Sequence, residues 1–136
     1  TRQLHLPRYI LARKSNKKCV KNAVKVQVSS ITTPEPQELY LDEFDVKYLK
    51  GKRVVLLDDV LSTGKTMQGL RTLANKSEAE VCAIAVVWLE GPWVFEKFAD
   101  EIHKDQVIFL DVFPLYAVGV TYDNLIKEEE RMGLKA

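Results

Sequence analysis

Cysteine and histidine are both scarce, with two of each in 136 residues. Cys19 and Cys82 have no spacing suited to a metal site or a redox pair. Cys82 lies inside the apolar run Val81 to Leu89 and reads as a small core residue, while Cys19 stands among lysines as a bystander. His5 and His103 have no neighbours that would make them a catalytic or metal-binding pair. No apolar stretch reaches the 18 or more residues of a membrane-spanning helix, and no signal peptide is visible, so a cytoplasmic protein is expected. A large charge excess is missing too. The net charge of +1 gives no reason to expect nucleic-acid binding across the whole surface. Only Arg13, Lys14, Lys17, Lys18 and Lys21 form a local basic cluster. What remains, 46% hydrophobic and 29% charged, describes one globular domain long enough for a sizeable core.

Against that background one segment stands out. Residues 54–67 read Val-Val-Leu-Leu-Asp-Asp-Val-Leu-Ser-Thr-Gly-Lys-Thr-Met. Four apolar residues run into two adjacent carboxylates and then a hydroxyl-rich turn. Met67, Leu70, Leu73 and Ala74 follow at helical spacing. The order is strand, acidic pair, anion loop, helix. An apolar run of this length suits a strand buried on both faces of a parallel sheet, and ligands bind such sheets at the carboxyl ends of the strands. The backbone N–H groups of Ser62, Thr63, Gly64, Lys65 and Thr66, with the start of a helix dipole, suit a phosphate. Asp58 and Asp59 would repel a phosphate and better suit hydrogen-bond donors such as two sugar hydroxyls. Phosphate on one side and a diol on the other describes a ribose 5-phosphate. The nucleotide-binding P-loop is a rival, because Gly64-Lys65-Thr66 copies its end. That motif needs a glycine five positions earlier, where this chain has Asp59. A plain strand–helix turn capped by Ser62 or Thr63 explains neither the adjacent aspartates nor the lysine.

The segment resembles the PRPP (5-phosphoribosyl 1-diphosphate) motif of type I phosphoribosyltransferases, in their adenine and xanthine branch. In that family a hydrophobic strand leads to two acidic residues, two hydrophobic residues and a short Thr/Ser-Gly-x-Thr loop. Here these are Val54 to Leu57, Asp58-Asp59, Val60-Leu61 and Ser62 to Thr66. Upstream, residues 7–14 look like the family's second strand, ending in the basic pair Arg13-Lys14, and 15–53 look like the stretch that bears its flexible loop. The resemblance covers residues 7 to about 111. It implies an N-terminally incomplete single domain over 1–136, and hence a homodimer or pairing with the missing N-terminal segment. It further implies transfer of ribosyl 5-phosphate from PRPP to a purine base with release of pyrophosphate. Ser62 to Thr66 would hold the 5-phosphate, Asp58 and Asp59 the ribose hydroxyls, and Arg13 and Lys14 the pyrophosphate. Mg2+ would be bound mainly through PRPP, with no metal site of the protein's own. Phe113 and Tyr116 lie where the family stacks residues on a purine, and plugging the end of the sheet is the equally simple reading of them.

The proton-handling residue is less plain. The hypoxanthine-guanine branch has an aspartate at the first loop position, where this chain has Ser62, and the adenine branch uses a lid glutamate. Glu35 is the only carboxylate inside the lid connection and is the catalytic candidate. A regulatory or non-catalytic PRPP-binding protein of the same fold is the alternative, favoured by the absent loop aspartate.

The rest of the sequence predicts an α/β fold with a doubly wound, mainly parallel sheet and a flexible hairpin lid at about 22–42. A short strand is expected over Arg8 to Ala12 and a hairpin from Val24, Val26 and Val28 with Leu39 and Leu41. A helical turn is expected from Asp45 to Leu49. Buried strands are expected over Val81 to Leu89 and Val107 to Leu110, with a helix striped by Val94, Phe95, Phe98, Ala99 and Ile102 between them. A charged tail occupies about 112–136.

Overall fold

The computed structural model describes residues 6, 8–15, 22–28, 37–91, 95 and 106–112. Its strands are β1 (Arg13–Ser15), β2 (Val24–Val28), β3 (Gln37–Leu41), β4 (Arg53–Leu61), β5 (Glu80–Leu89), β6 (Val107–Ile108) and β7 (Asp111–Val112). Its helices are α1 (Glu43–Leu49) and α2 (Lys65–Lys76). The chain divides into two compact units, one of residues 1–54 and 69–80, the other of 55–68 and 81–136.

In the first unit the period-2 pattern around Val24 and Leu39 forms the expected hairpin. β2 pairs antiparallel with β3, Val24 opposite Leu41 and Val28 opposite Gln37. Alternate side chains of a strand point to opposite faces, and here Val28, Leu39 and Leu41 are buried. The other face carries a Lys25–Glu38 ion pair at 3.3 Å. The second half of α2 lies against this hairpin at Gly69. A Cβ there would meet Val28 Cγ2 at 2.5 Å and Leu39 Cδ1 at 3.1 Å, so only glycine permits the approach. Lys76 Nζ adds a hydrogen bond to the Lys25 carbonyl at 3.2 Å. Gly69→Ala is therefore expected to destabilise the fold by about 1–2 kcal/mol despite alanine's better helix propensity, because the stiff, buried Val28 must be displaced. Chemical denaturation of the variant checks this, and a stability equal to or above the parent's would refute the close packing.

The expected strand over Arg8 to Ala12 is corrected. The ladder starts later, at β1, where Arg13 stands opposite Tyr40 and Lys14 opposite Leu39. Residues 8–12 carry no ladder among the described residues and are held by a side chain instead. Arg8 forms an ion pair with the buried Asp45 of α1, and its guanidinium lies 4.5 Å from the Tyr48 ring centroid and 5.2 Å from that of Phe44. The basic pair Arg13-Lys14 thus belongs to the antiparallel hairpin sheet, ordered β1-β3-β2.

α1 starts at Asp42, whose carboxylate accepts the Asp45 backbone N–H at 2.9 Å. Glu43 and Asp45 sit in its first turn and Lys47 in its last, as the helix dipole favours. The Glu43–Lys47 pair at 2.6 Å, with a hydrogen bond from Asn22, holds the Glu43 carboxyl below its ordinary pKa. Gly51, with φ of +68°, turns the chain into β4, and its N–H donates to the Glu78 carbonyl at 2.8 Å.

In the second unit β4, β5 and β6 form a sheet in that order, with β7 also pairing β5. β6 and β7 both run parallel to β5, with Ile84 opposite Val107 and Leu89 opposite Val112. The strand expected over Val107 to Leu110 is thus shorter, ending at Ile108; Leu110 N–H still donates to the Val87 carbonyl at 3.2 Å, and a second short strand follows at Asp111. Ile84, Val86 and Leu89 of β5 and Val107 of β6 are buried, with Leu56, Leu61, Met67 and Phe95. The α/β class and the mainly parallel sheet agree with the sequence. Burial of β4 on both faces does not hold, since Val55 and Leu57 are 51% and 68% exposed while Leu56 is buried. An apolar run fixes which residues alternate, not whether both faces receive a covering layer. The helix expected after Gly91 falls outside the described residues except Phe95, and the lid tip and the tail beyond Val112 lie outside them entirely.

Candidate active site

β4 carries its polar groups at the carboxyl end, where a parallel sheet presents ligand sites. The strand runs through both aspartates to Leu61 rather than stopping before them. As neighbours in a strand, Asp58 and Asp59 project to opposite faces. Asp58 is half-buried and Asp59 exposed. Each carboxylate accepts the backbone N–H of the next residue: Asp58 Oδ1 from Asp59 at 3.1 Å, and Asp59 Oδ1 from Val60 at 2.9 Å.

Only three residues, Ser62, Thr63 and Gly64, separate β4 from α2. Gly64 is buried with φ of +75°, a left-handed conformation that glycine adopts without steric cost. Its carbonyl accepts the Gln68 N–H at 2.8 Å, the first bond of the α2 ladder. The N–H groups preceding that bond have no acceptor within the helix. No acidic side chain occupies the first turn of α2, and Lys65 opens it. A cation at a helix N-terminus is unfavourable on its own.

Asp58, Val60, Leu61, Ser62, Thr63, Gly64, Thr66 and Met67 line a cavity of about 60 Å³. One water needs about 10–15 Å³ of such space, so a group of phosphate size is admitted. One wall is a carboxylate, another is a turn of hydroxyls and backbone N–H groups, and Val60, Leu61 and Met67 complete the lining. The P-loop reading fails here on geometry as well as on sequence, because position 59 lies within the strand and the turn is too short to wrap a nucleotide's phosphates.

The predicted residues divide as follows. Asp58, Ser62, Thr63, Gly64 and Thr66 come together around the cavity; Asp59 and Lys65 adjoin it in sequence without lining it. Arg13 and Lys14 belong to the other unit, in β1. Glu35, Phe113 and Tyr116 lie outside the described residues. Sequence reasoning missed Met67 as a wall residue, having assigned it to the helix core alone. It also missed Glu90, the first residue after β5, whose N–H donates to the Leu61 carbonyl at 2.9 Å. The sequence shows that the second apolar run ends in a carboxylate, but not that strand register sets it beside the turn.

Residues 2–120 match the phosphoribosyl transferase domain family. The chain belongs to that family. A phosphoribosyltransferase-like relative described as an HGPRTase-like protein, from Halomicrobium mukohataei, is 34% identical over 90 residues, covering 65% of this chain and 44% of its own. An adenine phosphoribosyltransferase of Mycobacterium avium is 32% identical, covering 41% of this chain and 38% of its own. Among solved structures, adenine phosphoribosyl transferase from Trypanosoma brucei, in complex with AMP, pyrophosphate and ribose-5-phosphate, superposes with a TM-score of 0.58. It is 19% identical and covers 87% of this chain and 57% of its own. The adenine phosphoribosyltransferase of Rhodothermus marinus gives 0.54 at 17% identity, over 76% of this chain and 55% of its own. These structures share the fold of this phosphoribosyltransferase domain. The chain spans less than half the length of both curated relatives. No described helix is long and apolar enough to cross a membrane.

Proposed function

We propose that the protein transfers ribosyl 5-phosphate from PRPP to a purine base and releases pyrophosphate, as a purine-salvage enzyme of the adenine or xanthine type. The observation that carries this reading is the cavity with Asp58 in one wall and the Ser62–Thr66 turn, at the start of α2, in the other. Ser62, Thr63, Gly64 and Thr66 receive the 5-phosphate through backbone N–H groups and hydroxyls. An anion there also offsets the unfavourable charge of Lys65, which adds a point charge to the phosphate subsite. Asp58, with Asp59 beside it, accepts hydrogen bonds from the ribose 2- and 3-hydroxyls. Arg13 and Lys14 are assigned to the pyrophosphate, and Phe113 and Tyr116 to the face of the base, on the family resemblance.

In the reaction the bond from the anomeric carbon to pyrophosphate breaks as the ring nitrogen forms its own bond to that carbon. The protein's part is to hold the two reactants in line and to stabilise departing negative charge. The rim carboxylate Asp58 is a hard oxygen donor of the kind magnesium takes, and the ion would enter chiefly on the oxygens of PRPP and water. Bound there it supplies charge neutralisation of the pyrophosphate. On the family resemblance, the hairpin at about 22–42 would serve as the lid that keeps water from the activated sugar. The proposal includes a cytoplasmic homodimer. One observation favours the second reading, a PRPP-binding regulator: the first position of the turn is Ser62, a hydroxyl with no adjacent base.

Calorimetric titration of the full-length protein with PRPP and magnesium, followed by pyrophosphate release with adenine, hypoxanthine, guanine and xanthine, separates the readings. Binding with release is expected, and the active base names the substrate. Binding without release supports the regulator, and no binding refutes both.

A further inference from the structure

We propose that Glu90 is the carboxylate that takes the proton shed by the heterocycle during transfer, a role that rests on the transferase reading above. The ring nitrogen's lone pair forms the new bond to the anomeric carbon. The electron pair of the breaking carbon–oxygen bond leaves with pyrophosphate, and the ring's N–H proton passes to a Glu90 oxygen.

Three observations point to Glu90. Its backbone N–H bonds the Leu61 carbonyl at 2.9 Å, which fixes it beside the junction where β4 becomes the Ser62 turn. Leu61 itself lines the cavity. Glu90 directly follows the last residue of β5 and precedes the buried Gly91, whose φ is +81°. Its accessibility is intermediate, neither sealed in the core nor fully solvated.

The third observation is a comparison among the carboxylates of the same edge. Asp58 and Asp59 each accept a backbone N–H from the next residue, and Asp111 does the same from Val112 at 2.8 Å. Glu90's carboxylate has no hydrogen bond or ion pair among the described residues. Among the described residues it is thus the edge carboxylate that no backbone N–H or cation engages, and both of its oxygens can accept. Ser62, at the neighbouring strand end, cannot do this work unaided at neutral pH.

The test measures PRPP affinity, kcat, the KM for the base and the pH profile of kcat in the full-length protein, for the parent, Glu90→Gln and Glu35→Gln. Glu90→Gln is expected to leave the Kd for PRPP with magnesium within about threefold, lower kcat by about 100-fold or more and erase the acid limb of its pH profile. The other groups at this edge, Asp58, Asp59, Asp111 and Lys65, are unchanged in that variant. Glu35→Gln tests the rival candidate base, and its kcat should fall by clearly less than that of Glu90→Gln. Should Glu90→Gln fail to fold, Glu90→Asp serves, with a lowered kcat and the acid limb retained. A Glu90→Gln kcat within threefold of the parent overturns the proposal, as does loss of PRPP affinity in step with the rate. A collapse in Glu35→Gln alone overturns it too, while leaving the transferase reading intact. A parent protein that binds PRPP yet releases no pyrophosphate with any base fails the transferase reading itself, and Glu90's role with it.

Discussion

Asp58→Asn combined with Asp59→Asn should raise the Kd for PRPP by about 100-fold or more while the protein stays folded. A hydrogen bond to a charged group contributes about 1.5–3 kcal/mol net, and two such bonds to a diol correspond to roughly two to four powers of ten in affinity. Asparagine keeps the size of each side chain and retains one carbonyl oxygen. The bonds from the Asp59 and Val60 backbone N–H groups can therefore persist, and stability should change by less than about 1 kcal/mol. The two single variants should differ. Asp58 lines the cavity and Asp59 does not, so Asp58→Asn takes the larger share of the loss. Calorimetry on all three variants, alongside thermal unfolding, reads both quantities. An unchanged affinity in the double variant would remove the ribose assignment.

Why Asp58 could be identified from sequence, while Glu90 could not, follows from how far apart the contacts lie along the chain. The phosphate turn, the aspartates and the helix are contiguous from Val54 to Met67, so their order alone conveys the site. The hairpin was equally legible, since Val24, Val26 and Val28 and then Leu39 and Leu41 repeat with the period of a strand. Glu90 reaches the turn only through the alignment of β4 with β5, and sequence order does not state the register of two strands separated by a helix. Arg8 escaped for a related reason. Its partners Asp45, Phe44 and Tyr48 lie more than 30 residues away, and an arginine that stacks on rings and pairs with a buried carboxylate looks in sequence like any surface cation. The first strand lies at Arg13–Ser15 and not over residues 8–12, which changes the setting of the basic pair. Exposure of Val55 and Leu57 was also illegible, because hydrophobicity reports which side chains avoid water and not which face of a sheet is covered.

Gly64 offers the second large effect, and Gly51 supplies its matched control. Both hold positive φ, +75° and +68°, and a Cβ in that region costs about 1–2 kcal/mol wherever it is introduced. At Gly51 a Cβ would meet nothing within 4 Å, so Gly51→Ala should show this conformational cost and little else. Gly64 lines the cavity and opens α2 through its bond with Gln68. In Gly64→Ala the strain is relieved by rotating the turn, which moves the N–H groups that face the phosphate. Losing one charge-assisted bond there is sufficient for about a tenfold rise in the Kd for PRPP. The two variants should therefore lose similar stability, and only Gly64→Ala should lose PRPP affinity by tenfold or more. Equal losses of affinity would mean that weakened folding alone accounts for the effect and that the turn does not hold the phosphate. Unchanged affinity in Gly64→Ala would lead to the same conclusion. The expected split ties binding to the backbone of residues 62–66, because neither substitution removes a charge or a hydroxyl.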